Sequence, residues 1–189
     1  MLRNLLAGST LAICFAAPAW AVAESFDLDA AHTYPSFEIN HLGFSDMRGS
    51  FTSTTGNLSY DLEKHTGKVS VTIDAASIAT GFAKRDEHLR SKDFFNVEKY
   101  PTLTYQSDAF LLDADKSMPV TGSLTMLGVI KPVTLEVKPT RCGKRADKDY
   151  VCGALVSGLI KRSDWGLNGF VPFVGDDVKL QIEVEAIKK

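Results

Sequence analysis

The sequence predicts an all-β fold in which the strands form an antiparallel barrel or a sandwich. The first observation is that apolar and polar residues alternate along most of the chain, most clearly where Val178, Leu180 and Ile182 are separated by Lys179 and Gln181. Such alternation is typical of strands with one buried and one solvated face. The second observation is that short turn sequences, with almost no helix between them, separate these runs, which favours antiparallel strands over a βαβ arrangement.

The first residues are expected to form a signal peptide. Arg3 precedes an apolar run over 5–17, and small residues follow up to Ala23. This order is typical of a cleaved export signal, and the run is too short to span a bilayer. We therefore expect cleavage after Ala23 to remove residues 1–23, and residues 24–189 to form one periplasmic domain without a transmembrane segment.

The composition of this domain excludes some classes of partner. Its 166 residues suit a single core, and they include 20 basic and 23 acidic residues, a net charge of −3 with neutral histidines. A nucleic-acid partner would require clustered Lys and Arg, which such near-balance does not favour. Both a monomer and a homodimer are compatible with the sequence.

The alternating runs predict about eight strands. In chain order the runs lie at 37–39, 47–51, 58–62, 69–73, 103–110, 120–126, 133–137, 155–161 and 178–186. Turn sequences separate them, for example at 64–67, 113–115 and 143–145. Closing such a sheet into a barrel removes its exposed edges, and an eight-stranded barrel either is filled by its own side chains or holds one small ligand.

One segment interrupts the strand pattern and predicts a short helix. Residues 83–90 are rich in helix-forming residues, and Arg85, His88 and Leu89 share one helix face at their spacing. Ser91 can cap a second turn, and two aromatic rings follow at 94–95. Those rings need an apolar environment, and the mouth of a barrel would provide it.

Two cysteines remain after removal of the signal peptide, Cys142 and Cys152. An even pair in an exported chain is expected to form a disulfide. The competing interpretation, half of a metal site, lacks neighbouring ligands, and the four histidines are widely dispersed. We therefore expect a disulfide and no metal site.

A series of short motifs gives the chain a family resemblance. The motifs are LDAAH at 28–32, HLGF at 41–44, GSF at 49–51, RDEHLRSKDFF at 85–95, YP at 100–101, GSLTMLGV at 122–129, KPV at 131–133 and RSDWG at 162–166. In this order and spacing the chain resembles the YceI-like polyisoprenoid-binding proteins, which are exported bacterial barrels. Trp165 departs from the family pattern, since another aromatic, usually Phe, is expected there, and the cysteine pair is not required by it.

The resemblance implies an eight-stranded antiparallel lipocalin-like barrel with short helical segments near its mouth. It further implies a binding or carrier protein, with an isoprenoid, prenyl diphosphate or quinone-type lipid in the lumen, and it brings no catalytic residues and no cofactor. An enclosed lipid chain would be held mainly by the removal of apolar surface from water, at about 0.8 kcal/mol per CH₂.

The candidate ligand-binding residues are apolar side chains of the lumen or mouth and a few polar groups. The apolar candidates are Phe37, Ile39, Phe44, Phe51, Leu89, Phe94, Phe95 and Trp165. For each of them the alternative is ordinary core packing. The polar candidates are Arg85, His88 and His41, which could orient a headgroup. For Arg85 and its neighbour Asp86 the alternative is a contact that holds the helix onto the barrel.

Two other functions remain open from the sequence. A hydrolase or isomerase could use His41 or His88 as a base beside Asp86, although no nucleophile motif such as G-x-S-x-G accompanies them. A periplasmic interaction protein without a ligand would need an apolar patch on the barrel exterior, which the solvated strand faces do not show.

Overall fold

The computed structural model describes residues 23–147 and 149–189, and its strands form one antiparallel sheet that closes into a barrel. The all-β barrel expected from the sequence is therefore confirmed. The expected signal peptide over 1–23 lies, apart from Ala23, outside the described residues.

The described residues contain thirteen strands, one α-helix and two 3₁₀ helices. In chain order these are β1 (Glu24–Leu28), β2 (Tyr34–His41), β3 (Ser45–Phe51), β4 (Thr54–Asp61), β5 (Thr66–Asp74), η1 (Ala75–Ser77), β6 (Ile78–Ala79), α1 (Ala83–Arg90), β7 (Thr102–Ser107), β8 (Phe110–Leu111), β9 (Met118–Met126), β10 (Val129–Val137), β11 (Arg141–Lys144), β12 (Tyr150–Lys161), η2 (Arg162–Trp165) and β13 (Val174–Lys188).

The barrel has eight strands around its circumference. Two of these are interrupted: β1 and β2 together form one, and β3 and β4 together form its neighbour. β1 and β2 pair with successive parts of β13, and β4 and β3 pair in turn with β1 and β2. β6, β8 and β11 are short additions of two to four residues. The remaining strands follow in the order β5, β7, β9, β10, β12, and β12 pairs with β13 from Val151 with Ile187 to Lys161 with Asp177, which closes the ring.

The two ends of the barrel differ in construction. The end called here the mouth carries the β2–β3 connection, α1 with the segment up to Pro101, the β9–β10 turn, and η2 with the segment 166–173. The pairing of His41 with Val174 and of Lys161 with Asp177 places the ends of β2, β12 and the start of β13 together there. The opposite end is called the base.

The base is a packed cluster. Phe26, Tyr60 and Ala186 are almost fully buried there, at 0, 3 and 1 % exposure. The expected disulfide is present beside them, and it joins Cys142 of β11 to Cys152 of β12 at directly paired positions. The base is therefore closed by its own side chains and crosslinked at one hairpin.

Helix α1 spans the residues that the sequence predicts, Ala83–Arg90. A second helical turn does not follow it. Instead Ser91 ends the helix by donating its N–H to the His88 carbonyl, and Phe95 donates its N–H back to the Leu89 carbonyl. This compact turn directs the chain back over the mouth of the barrel.

Candidate ligand-binding cavity

The barrel encloses a cavity of about 500 Å³. Its walls come from every second residue of the barrel strands, because alternate side chains of a strand point to the same face. Wall residues include Val69, Val71 and Ile73 of β5, Val120, Leu124 and Met126 of β9, Val133, Leu135 and Val137 of β10, Val156 and Ile160 of β12, and Val178, Leu180, Ile182 and Val184 of β13. The alternation noted in the sequence thus makes the interior apolar along its length.

The interior is hollow rather than filled by its own side chains. Several inward-facing apolar residues, such as Val71, Val156 and Leu180, are only partly buried because they border the cavity. Leu28 and Ala186 line its lower end, above the packed base. The volume lies within the range of about 300–1,000 Å³ found for small-molecule pockets.

The mouth is covered in part by aromatic rings from the segment after α1. Phe95 packs edge-on against Phe51, with ring centroids 5.6 Å apart, and Phe94 packs edge-on against His88 at 4.9 Å and stacks on Phe170 at 6.2 Å. All five side chains line the cavity, and His88 and Phe170 are also exposed. The cavity therefore opens to solvent between α1 and the segment 166–173.

Nine of the eleven residues expected to bind a ligand line this one cavity. They are Phe37, Ile39, His41, Phe51, Arg85, His88, Leu89, Phe94 and Phe95. His41 and His88 come from different elements, the end of β2 and α1, so the barrel brings both to the same space.

Two expected residues do not line the cavity. Phe44 lies at the mouth, but its side chain is 89 % exposed because it is in the β2–β3 connection, beyond the last paired residues of the strands. Trp165 is 3 % exposed, yet it does not line the cavity. Its indole N–H donates to the Leu124 carbonyl at 3.2 Å, so Trp165 packs into the wall.

The polar contacts at α1 separate the roles of Arg85 and Asp86. Oδ1 of Asp86 accepts hydrogen bonds from the backbone N–H and the hydroxyl of Thr80. Arg85 donates from Nε to the Thr80 hydroxyl and from Nη2 to the Thr80 carbonyl, both at 2.7 Å. Asp86 thus holds the start of α1 onto the barrel. Arg85 lines the cavity, and its guanidinium is held by neutral groups, without an ion pair to any described carboxylate.

Arg162 is a residue that shapes the mouth and that the sequence did not indicate as part of the site. It is 5 % exposed, and its guanidinium donates to the carbonyls of Leu167, Gly169, Val174 and Gly175 at 2.6–3.0 Å. Burial lowers the pKa of Arg162, and the nearby carboxylate of Asp176 opposes this effect. Arg162 therefore fixes the segment that forms one side of the mouth. An Arg directly after a strand gives no sequence signal of burial.

The wall residues of β5, β9, β10, β12 and β13 were not among the ligand-binding candidates, although Val178, Leu180 and Ile182 were expected on a buried strand face. Their signal was present, because the same alternation that predicts each strand also identifies its inward-facing set. What the alternation does not show is whether that set meets a cavity or packs against the opposite wall.

One cluster among the described residues has metal-binding side-chain types, Asp29, His32 and Glu185. The guanidinium of Arg145 forms ion pairs with this cluster: its Nη1 lies 3.0 Å from the Asp29 carboxylate and 3.7 Å from the Glu185 carboxylate. Hydrogen bonds from His32 and Arg145 lower the pKa of Asp29. The cluster is an ion-pair network between the β1–β2 turn, the hairpin after β11 and β13.

No helix among the described residues is long and apolar enough to cross a membrane.

The comparisons with known proteins agree with this architecture. A family model described as a YceI-like domain matches residues 26–186. A UPF0312 protein of Pectobacterium atrosepticum is 37 % identical over 189 residues, which cover 100 % of this chain and 97 % of the relative. Protein YceI of Escherichia coli O157:H7 is 36 % identical over 192 residues, and the match covers both chains completely.

Solved structures have the same fold. The crystal structure of a Campylobacter jejuni YCEI protein matches with a TM-score of 0.72 and 33 % identity, over 80 % of this chain and 90 % of that one. A polyisoprenoid binding domain from Saccharophagus degradans matches with a TM-score of 0.63 over 89 % of this chain and 99 % of that one, and at 18 % identity it shows the fold alone. The family match across the barrel and the full-length relatives establish that this chain belongs to the YceI family.

Proposed function

We propose that this protein is a periplasmic carrier that encloses one long apolar lipid, an isoprenoid or a quinone-type molecule, in its barrel. The observation that carries the proposal is the apolar cavity, closed at the base and open at the mouth. A cavity that extends from Leu28 and Ala186 to Phe170 fits a long chain with its tail towards the base and its head between α1 and the segment 166–173.

The energetics of such a cavity favour an apolar guest over water. A buried water needs two to four polar partners, and the wall strands supply almost none. A lipid chain, in contrast, gains about 0.8 kcal/mol for each CH₂ group that leaves water. Many weak contacts with the wall would hold the chain without any specific chemistry.

The polar groups at the mouth would orient the head of the lipid. Arg85 offers a guanidinium that is held in place by Thr80 and lacks an ion pair with a described carboxylate. His88 and His41 line the same space. A diphosphate head would meet the planar fork of Arg85, whereas a quinone or alcohol head would accept single hydrogen bonds.

Relatives and chain features support the ligand class and the compartment. The Saccharophagus domain of the same fold is a polyisoprenoid binding domain. The expected signal peptide and the Cys142–Cys152 disulfide support an oxidising compartment such as the periplasm. Binding is favoured over catalysis because Asp86, the carboxylate of the hydrolase hypothesis, bonds Thr80.

Extraction of the purified mature protein tests the carrier function. We expect solvent extraction and mass spectrometry to recover a long-chain isoprenoid lipid at about one molecule per protein, because the cavity holds a single guest. An exported protein of another fold, purified in parallel, controls for lipid carried over from the membrane. Recovery no higher than in that control would count against the proposal.

Substitution of Arg85 tests the placement of the headgroup. Arg85→Gln is expected to weaken binding of a prenyl diphosphate by roughly tenfold to a hundredfold and to leave a neutral prenol of equal length unaffected, because a charge-assisted hydrogen bond contributes about 1.5–3 kcal/mol. Binding is measured by titration of delipidated protein. Lys84→Gln removes an exposed charge from the preceding residue, which does not line the cavity, and is the matched control. Equal losses in the two variants would contradict the assignment.

A further inference from the structure

Large apolar side chains are exposed at the mouth of the barrel. Six of the twelve exposed large hydrophobic residues in the described part of the chain lie in three connections there. These six, called here the mouth rim, are Leu42 and Phe44 between β2 and β3, Phe82 before α1, and Phe170, Val171 and Phe173 before β13. Phe44 and Phe173 are the most exposed of them, at 89 and 69 %.

The mouth rim is continuous with the interior of the barrel. The N–H of Leu42 donates to the Phe173 carbonyl at 2.9 Å, so two of the three connections are joined. Phe170 is 61 % exposed and also lines the cavity. Phe82 lies directly before α1, with the guanidinium of Arg85 5.9 Å from its ring. Phe170 therefore connects the exposed rim with the cavity.

The charge pattern of the mouth indicates what the rim contacts. The segments 39–45, 78–83 and 166–173, which carry all six residues, contain no Asp, Glu, Lys or Arg. Charged residues flank these segments, as in the exposed Lys84 and Glu87 of α1, and they alternate along outer strand faces, as in Lys179 and Glu183 of β13. A soluble protein partner would usually be matched by charged or hydrogen-bonding groups around an apolar centre. Three uncharged tips with protruding rings are instead suited to entry into the apolar layer of a bilayer.

We propose that the mouth rim docks on a lipid bilayer surface, so that cargo passes between bilayer and cavity without crossing water. The purpose of this docking rests on the proposed carrier function, but the docking itself requires only the exposed rim. A long apolar guest resides in membranes when it is not bound, and leaving a membrane through water would expose its whole chain. A rim that enters the bilayer around the open end removes that barrier.

Two backbone features agree with an outward-directed rim. Leu42 and Phe170 have left-handed backbone conformations, with φ of 58° and 60°. This conformation is unfavourable for residues other than glycine, and it occurs more often where function requires it. Both residues carry large apolar side chains at these positions.

Flotation with vesicles of phosphatidylcholine tests the docking. Delipidated wild-type protein is expected to float with the vesicles, and the double variant Phe44→Ser/Phe173→Ser is expected to partition more weakly by about tenfold or more, because two rings no longer leave water on docking. Neither residue lines the cavity. The matched control is Leu111→Ser/Leu155→Ser, which removes two side chains of 53 and 57 % exposure outside the mouth. Its partition is expected to equal that of the wild type, at both low and high salt.

The outcomes separate this proposal from the carrier function. Loss of flotation in the rim variant alone supports docking, whatever lipid is recovered by extraction. Equal flotation of both double variants, or no flotation of the wild type, overturns docking. If the wild type fails to float and instead dimerises in sedimentation while the rim variant does not, the rim belongs to an interface with a second copy and the proposal is likewise overturned. Absence of extractable lipid with rim-dependent flotation would refute only the carrier function.

Discussion

Replacement of Arg162 by methionine is expected to lower the free energy of unfolding by about 3 kcal/mol or more. The buried guanidinium donates to four backbone carbonyls between Leu167 and Gly175, and each hydrogen bond from a charged donor contributes about 1.5–3 kcal/mol. Methionine fills a similar volume but cannot donate any of these four hydrogen bonds. Some carbonyls would be rehydrated at the mouth, so the expected loss is below the sum of the four bonds. Urea denaturation measures the effect.

The matched control for Arg162 is the preceding residue in the chain. Lys161 is also a cation, but its side chain is 59 % exposed and pairs with Asp177 at 2.7 Å on the surface. Lys161→Met is therefore expected to cost about 0.2–1 kcal/mol, the usual contribution of an exposed ion pair. Arg162→Met is also expected to speed proteolysis within 166–175. Equal stability of the two variants would show that the segment is held without Arg162.

The alternation of apolar and polar residues predicts the barrel well, because every strand buries one of its faces whichever strands it pairs with. β13 illustrates this: each inward residue from Val178 to Ala186 is apolar and its neighbours are mostly polar, so its face can be read without knowledge of its partners. The interruption between β1 and β2 could not be predicted in this way. It depends on how two short strands share one long partner, which is a property of the closed barrel.

Site residues could be predicted where their spacing matches the period of a strand or helix. They could not be predicted where their direction depends on a turn. Phe37, Ile39 and His41 alternate along β2, and all three line the cavity. Phe44 is only three residues further on, but the chain turns at Leu42, where φ is positive, and the ring points outward. An aromatic residue in a turn has no periodicity to indicate its direction.

The residue type indicates that an aromatic side chain is buried. It does not indicate whether that side chain faces the cavity or packs within the wall. Trp165 is buried as an aromatic residue should be, and its N–H finds the Leu124 carbonyl in the wall instead of facing the cavity. Arg162 is the opposite case, a charged residue whose burial depends on the carbonyls that the following segment, from Leu167 to Gly175, presents to it. Both depend on contacts formed only when η2 packs against the sheet.

Partial filling of the cavity by a new side chain is expected to reduce lipid binding by tenfold or more. Ala154 lines the cavity from β12, and its side chain is the smallest of the apolar side chains at this level of the wall, where it pairs with Val184. Ala154→Phe would place a ring in the path of the lipid chain, and displacing two CH₂ groups from the wall would already cost about 1.6 kcal/mol of binding free energy. Because the ring enters empty apolar space, folding stability is expected to change little, unlike in a packed core.

The next residue along β12 provides the control with the same added side chain. Leu155 points to the other face of the sheet and is 57 % exposed. Leu155→Phe is therefore expected to retain lipid at the wild-type level in extraction and mass spectrometry, while Ala154→Phe retains much less. If urea denaturation shows that both variants are as stable as the wild type, a difference between these neighbours reflects the face of the sheet on which the ring lies. Equal retention in both variants would mean that the lipid does not occupy the barrel interior.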